Sequence, residues 1–228
     1  MTSIGRITRE SASLRDRVTN SIREAILSGE LQPGQKLIER QLCSSLDISR
    51  TLLREALPLL QAEGLIHTVV HKGPSVALID ADEVREIYQV RRELEALAAR
   101  EFAKHASDEQ IRELREQMAT LMHPDAAGNV RNLLSAKAGF YSVLFEGCNN
   151  QVIGRILTQL NNRVILYKKL SLSVDGRLPH AIAELDAVVT AIESRDAIRA
   201  AELCVTHIEN SERNLLSAFS DEEDIQPD

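Results

Sequence analysis

Residues 37–76 read LIERQLCSSLDISRTLLREALPLLQAEGLIHTVVHKGPSV. The order of residue types predicts a short helix, a tight turn, a second helix and a small β-wing. Leu53, Ala56, Leu57 and Leu60 recur at helical spacing and mark the inward face of the second helix. Ser49, Arg50, Thr51 and Arg54 gather near its start. A helix pushed end-on into the DNA major groove needs polar and basic side chains at that place. The stretch is therefore a winged helix-turn-helix pattern.

The flanking residues extend it. A helix over about Glu39 to Leu46 precedes the turn, where Asp47 stands at a position that calls for a left-handed backbone. Ser49 is a good N-cap for the helix that follows. Pro58 lies inside that helix, removes one backbone hydrogen bond and costs roughly 3 kcal/mol if uncompensated; the expectation is a kink or early tightening. Gly64 ends the helix, and Leu65–Val70 with Ser75–Leu78 form the wing around His71-Lys72-Gly73-Pro74. Upstream, Leu14, Val18, Ile22 and Ile26 share one helical face, in a helix starting near Ser13. Ser28-Gly29 stops it, and Pro33-Gly34 makes a turn. The domain so defined is 13–79, preceded by a flexible arm, 1–12, carrying Arg6 and Arg9.

From Asp80 onward the pattern is entirely helical. Ile87, Val90, Leu94 and Leu97 form one face, and Ser107 with Gln110 makes a capping box opening the next helix. His123-Pro124 breaks that one. Further helices are expected at about 127–147, 150–171, 177–194 and 196–217. The fold class is mostly α: an N-terminal winged helix-turn-helix with a small β-wing, then an all-α helical bundle over 80–218. The acidic tail, 219–228, is expected to be disordered.

Composition narrows the function. The 228 residues are 43% hydrophobic but only 3% aromatic, without Trp, which favours Leu/Ala-rich helices over a β-sandwich. The net charge of −7 conceals an asymmetry: residues 1–79 hold 10 Lys/Arg against 8 Asp/Glu, and the rest hold 17 against 26. A mildly basic head on an acidic body is compatible with a nucleic-acid partner. No apolar run of membrane-spanning length and no secretory leader are present, so a cytoplasmic protein with no membrane partner is expected. Cys43, Cys148 and Cys204 make no pair motif and fit reduced core thiols. No nucleophile arrangement, phosphate loop or H-E-x-x-H motif appears, which disfavours an enzyme.

The segments IREAILSGELQPGQKL (22–37), ER (39–40), ISRT (48–51), REAL (54–57) and AEGLI (62–66) resemble the N-terminal domain of GntR-family transcriptional regulators. EIYQVRRELEALAAREFA (86–103), GCNNQVI (147–153) and AIESRDAIRAAELCVTHI (191–208) resemble the FadR-like FCD effector domain. The resemblance implies that Arg40, Arg50 and Arg54 contact phosphates and base edges, Arg being able to pair bidentately with guanine. It implies that Ser49 and Thr51 bind backbone phosphates, and that His71, Lys72 and Gly73 enter the minor groove from the wing. One departure is Ile38, where the family often has a capping Ser or Thr.

In many effector domains of this group an Asp, a His four residues later and two further histidines bind a divalent metal. Here the corresponding residues are Lys137, Tyr141, Leu185 and His207. An ammonium and a Leu are not ordinary ligands, so no metal and no cofactor are expected. A pocket lined by Lys137, Tyr141 and His207, with Arg91 or Arg92, could instead hold the carboxylate of a small organic acid directly. The opposing reading is that Lys137 snorkels to solvent while Tyr141 and His207 are satisfied core residues. His180 falls on another face, and His105 and His123 sit at exposed helix ends. Together these features imply a ligand-responsive regulator, a repressor, binding a near-palindromic double-stranded DNA operator as a homodimer. The alternative is a DNA-binding regulator or architectural protein whose degenerate effector domain binds no ligand.

Overall fold

Ser49 begins the helix around which the N-terminal unit is assembled. The computed structural model describes residues 9–69, 72–123, 130–172 and 177–223, in two compact units, Met1–Leu78 and Ile79–Asp228. In the first unit α1 (Arg9–Ser28), α2 (Glu39–Leu46) and α3 (Arg50–Ala62) are followed by β1 (Ile66–Val69) and β2 (Gly73–Val76). The Ser49 hydroxyl accepts a hydrogen bond from the Leu52 amide at 3.2 Å, satisfying one orphan donor of the first turn. Asp47 ends α2 in the left-handed region, φ 50°, as its place in the turn requires. Ile38 starts α2 without any side-chain cap.

Leu53, Ala56, Leu57 and Leu60 are all buried on α3, against Val18, Ile22 and Ile26 of α1, which packs on it. Each fully buried aliphatic side chain contributes about 1.5–3 kcal/mol. Arg23 clamps the two helices by donating to both Glu63 oxygens, at 2.7 and 2.6 Å. Leu14, expected on the inward face of α1, is exposed, and the buried face of α1 begins at Val18.

Helix α3 stays α-helical through Pro58, contrary to the expected tightening. Pro58 is on the exposed side, where water can take the carbonyl that its missing N–H leaves free. The wing is tighter than expected: Ile66 pairs with Val76 and Val69 with Gly73, so β2 begins at Gly73 rather than Ser75. Lys72 N donates to Val69 O at 3.0 Å, and Gly73, at φ 79°, turns straight into the strand. The outer edge of β2 is covered by residues 35–37, through Leu37 N to Pro74 O at 2.9 Å and Val76 N to Gln35 O at 2.9 Å. Gly34 admits this approach: its φ is 74°, and a Cβ would lie 2.5 Å from Leu78 Cδ1.

The second unit is helical: α4 (Ala81–His105), α5 (Asp108–Met122), α6 (Val130–Gly147), α7 (Gln151–Leu172), α8 (Arg177–Glu193) and α9 (Ala197–Glu223). Asp80 caps α4, and Ser107 with Gln110 forms the reciprocal box on α5. His123, ahead of Pro124, is extended and closes α5. α4 and α9 run against each other, α8 packs on α9, and α5 packs on α6. Their apolar faces meet around Phe102, Leu114, Met118, Phe140, Leu157 and Val189. A smaller cluster gathers Tyr88, Val164, Tyr167 and Leu215.

Two boundaries and one helix face differ from expectation. Helix α1 begins at Arg9, inside the segment read as an arm. Helix α9 continues to Glu223, past the start of the expected tail, because Phe219 stacks on Tyr167 with ring centroids 5.2 Å apart. On α4 the inward face is Val84, Ile87, Tyr88, Arg91, Glu95, Ala98 and Phe102, while Val90 is exposed. The buried stripe therefore passes through two charged residues.

Candidate nucleic-acid interface and effector core

At the start of α3 the side chains of Arg50, Thr51 and Arg54 are all exposed, as is Ser49. Ser49 uses its oxygen as an acceptor inside the cap, which leaves its O–H to donate outward. The first amides of α3 have no helical acceptor, so this end favours an anion such as a phosphate. Arg50 and Arg40 stand exposed on α3 and α2.

Arg54 is placed differently. Its Nε and Nη2 donate to the Glu39 carboxylate at 3.0–3.2 Å, across from α3 to the first turn of α2. That hydrogen bond, with the charge of Glu39, raises the Arg54 pKa. The pair engages Nε and Nη2, while the side chain as a whole stays 67% exposed. Glu39 is a residue that the sequence reading missed; fifteen positions separate it from Arg54, beyond any local pattern. In the wing, Lys72 is exposed, and Gly73 leaves open space where a side chain would be. His71 lies outside the described residues. His67, another residue without a sequence signal, meets Ser75 at 3.2 Å on the wing surface.

The body holds its polar groups inside. Arg91 is 1% exposed and Glu95 0%, one helical turn apart on α4, with Arg91 Nε donating to Glu95 Oε1 at 2.8 Å. The Arg91 guanidinium lies 4.5 Å from the centre of the Tyr88 ring. Burial works against the Arg91 charge, but the neighbouring Glu95 carboxylate more than reverses this and keeps it ionised.

Tyr141 (α6) and His207 (α9) are brought together, Oη to Nε2, at 3.4 Å. His207 Nδ1 lies 2.7 Å from Glu184 Oε2 on α8, and Asn210 Nδ2 donates to Glu184 Oε1 at 2.8 Å. Burial, reinforced by the charge of Lys137, lowers the His207 pKa against the pull of Glu184. A neutral His207 then donates from Nδ1 to Glu184 and accepts the Tyr141 hydroxyl at Nε2. Burial pushes the Tyr141 phenol and the Cys204 thiol well up, and both sense the charges of Glu95 and Arg91.

Of the five body residues singled out by sequence, Arg91, Tyr141, His207 and the half-buried Lys137 belong to this interior. Arg92 does not: about 100° around α4 from Arg91, it pairs with Glu209 at 3.5 Å and Glu93 at 3.4 Å at the surface. Glu95, Glu184 and Asn210 were missed. Glu95 was visible as the i+4 partner of Arg91, whereas Glu184 becomes a partner only when α8 packs on α9. His105, His123 and His180 are exposed.

The residues do not fit a divalent cation. Leu185 is buried among apolar side chains, and the Tyr141 phenol is held in its protonated form. Among the described residues no group of three or more His, Cys, Asp or Glu side chains could hold a metal ion.

Residues 14–76 match the family model described as bacterial regulatory proteins of the gntR family, and residues 86–210 match the FCD domain. The chain belongs to the GntR family.

It is a DNA-binding transcriptional regulator with an FCD domain, not an enzyme. The HTH-type transcriptional regulator YdhC of Bacillus subtilis (strain 168) is 24% identical over 189 residues, 82% of this chain and 84% of YdhC. The HTH-type transcriptional repressor GlaR of Escherichia coli (strain K12) is 26% identical over 196 residues, covering 82% and 89%. The solved structure of E. coli McbR/YncC superposes with a TM-score of 0.76 at 21% identity, covering 92% of this chain and 98% of that one. That likeness shows the same fold for this GntR-family chain. Among its described residues no helix is long and apolar enough to cross a membrane.

Proposed function

We propose that this regulator is a cytoplasmic, ligand-responsive repressor that binds a near-palindromic operator as a homodimer. The observation that carries the reading is the exposed, hydrogen-bond-ready start of α3, with Ser49, Arg50, Thr51 and Arg54 around it. Arg50 and Arg54 read base edges, Ser49, Thr51 and Arg40 hold phosphates, and the wing residues His71, Lys72 and Gly73 reach the minor groove. A twofold dimer places one head on each half-site. Repression is supported by the similarity to a protein named a repressor.

The effector is a small carboxylate held in the body by Arg91 and Lys137, next to Tyr141 and His207. The cationic side chains supply the charge that a metal would otherwise bring. Its binding changes operator affinity through a coupling of about 1–3 kcal/mol. Gel-shift of the full chain against a genomic fragment library tests the DNA reading. Specific retardation that weakens steeply with salt is expected; a library in which nothing is retarded, even at low salt, contradicts it.

A further inference from the structure

Residues 35–37 run along β2 as a bridging third segment, which places Lys36 opposite Ser75, while Ser75 is opposite His67 of β1. Directly opposed residues of antiparallel neighbours point to the same side, about 5 Å apart. Lys36, Ser75 and His67 therefore form one row across the wing. Because side chains alternate, this is the face turned away from the buried Leu37, Val76 and Ile66. Lys36 and His67 are exposed, and Ser75 Oγ lies 3.2 Å from His67 Nε2.

The row carries a cation without an acidic neighbour. No Asp or Glu occurs in QKL (35–37), IHTV (66–69) or GPSV (73–76). Among the described residues of the head, ion pairs engage Arg15, Arg23 and Arg54, and none engages Lys36. Lys36 shares that state with Arg40, Arg50 and Lys72. An exposed ammonium beside a hydroxyl offers the donors that a phosphate oxygen accepts.

The distance to the tip says which phosphate this is. The row stands two residues behind Gly73, where the wing turns. At about 3.3 Å per residue that is roughly 7 Å. The minor groove is about 7.5 Å deep. With the tip at the groove floor, the row is level with the phosphates along the rim. His67 acts through Ser75: as the Nε2–H tautomer it donates to Ser75 Oγ and leaves the Ser75 O–H for the phosphate.

Resting on the reading above that the wing enters the minor groove, we infer that Lys36 and Ser75 hold a backbone phosphate on the groove rim, with His67 as the positioning residue.

Fluorescence anisotropy of the full chain on a genomic fragment retarded in gel-shift, over a salt series, tests this. Lys36→Gln binds roughly 5-fold weaker at about 0.15 M salt and lowers the slope of log K against log salt by about 0.9, one released counterion. Its ranking of single-base variants of the fragment stays that of the wild type, because a phosphate carries no sequence. Ser75→Ala and His67→Leu each weaken binding by roughly 2- to 10-fold with the slope kept, and their combination costs no more than either alone. His67→Gln, which keeps a donor for Ser75, retains the affinity. Unchanged affinity and slope in Lys36→Gln overturn the inference, as does an altered base ranking. Lys72→Gln, at the tip, separates the two readings: if it alone weakens binding, the minor-groove wing stands without the rim contact, and if neither lysine matters, both fall. Additive losses in Ser75→Ala/His67→Leu overturn the positioning role of His67.

Discussion

Arg50 and Arg91 are the same residue in opposite settings. Arg50 stands exposed at the start of α3, where an unpaired charge is well hydrated and free to meet a phosphate or base. Arg91 is sealed inside the body, where Glu95 offsets the cost of burying its charge. In the head, charge is kept outside and the fold depends on an apolar face. In the body, charge is part of the core, and on the effector reading proposed above fold and recognition would share the same residues. Substitutions should therefore separate binding from stability in the head and entangle them in the body.

The largest expected effect tests the entanglement. Arg91→Met leaves Glu95 buried and unpaired and should destabilise the body by about 3–5 kcal/mol in urea unfolding. Removing both partners with Arg91→Met/Glu95→Leu should recover most of that loss. If the single variant unfolds like the wild type, the pair is not the buried element described here. A smaller effect is expected from Ser49→Ala, which deletes the α3 cap and should cost about 1 kcal/mol of head stability; an unchanged midpoint would show the cap bond to contribute nothing.

The next contrast uses pH. His207 has a lowered pKa in the folded chain, so the fold favours its neutral form. Its contribution is fully present above the unfolded value of about 6.5, and is lost as pH falls from there through the folded value. Melting temperatures between pH 7.5 and 5.5 should fall more steeply for the wild type than for His207→Gln, where Gln keeps a donor for Glu184. Parallel slopes would show that His207 is not held neutral.

What could be read from sequence was local. The Asp47 turn, the Ser49 cap, the Ser107–Gln110 box and the α3 apolar face each depend on residues within a turn or two, and all stand where the pattern put them. On α4 the expected stripe included Val90 and passed over Glu95, and only tertiary packing reveals that Arg91 and Glu95 neutralise each other inside. The Glu39–Arg54 clamp and the Glu184–His207 contact join different helices and leave no periodic trace. So too does Arg195, which closes the end of α4 by donating to Ala106 O at 2.5 Å and to Asp108 at 2.7 Å. The wing was shifted because Gly73 and Pro74, turn residues by type, pair in β2.

Operator affinity of the Arg50→Ala/Arg54→Ala double variant, measured by fluorescence anisotropy beside a thermal melt, tests the central claim most directly. The account predicts a loss of about 2 kcal/mol or more in binding, at 1–3 kcal/mol per base-reading arginine, with a stability loss no larger than the small contribution of the exposed Arg54–Glu39 pair. Wild-type affinity in a folded double variant would contradict it.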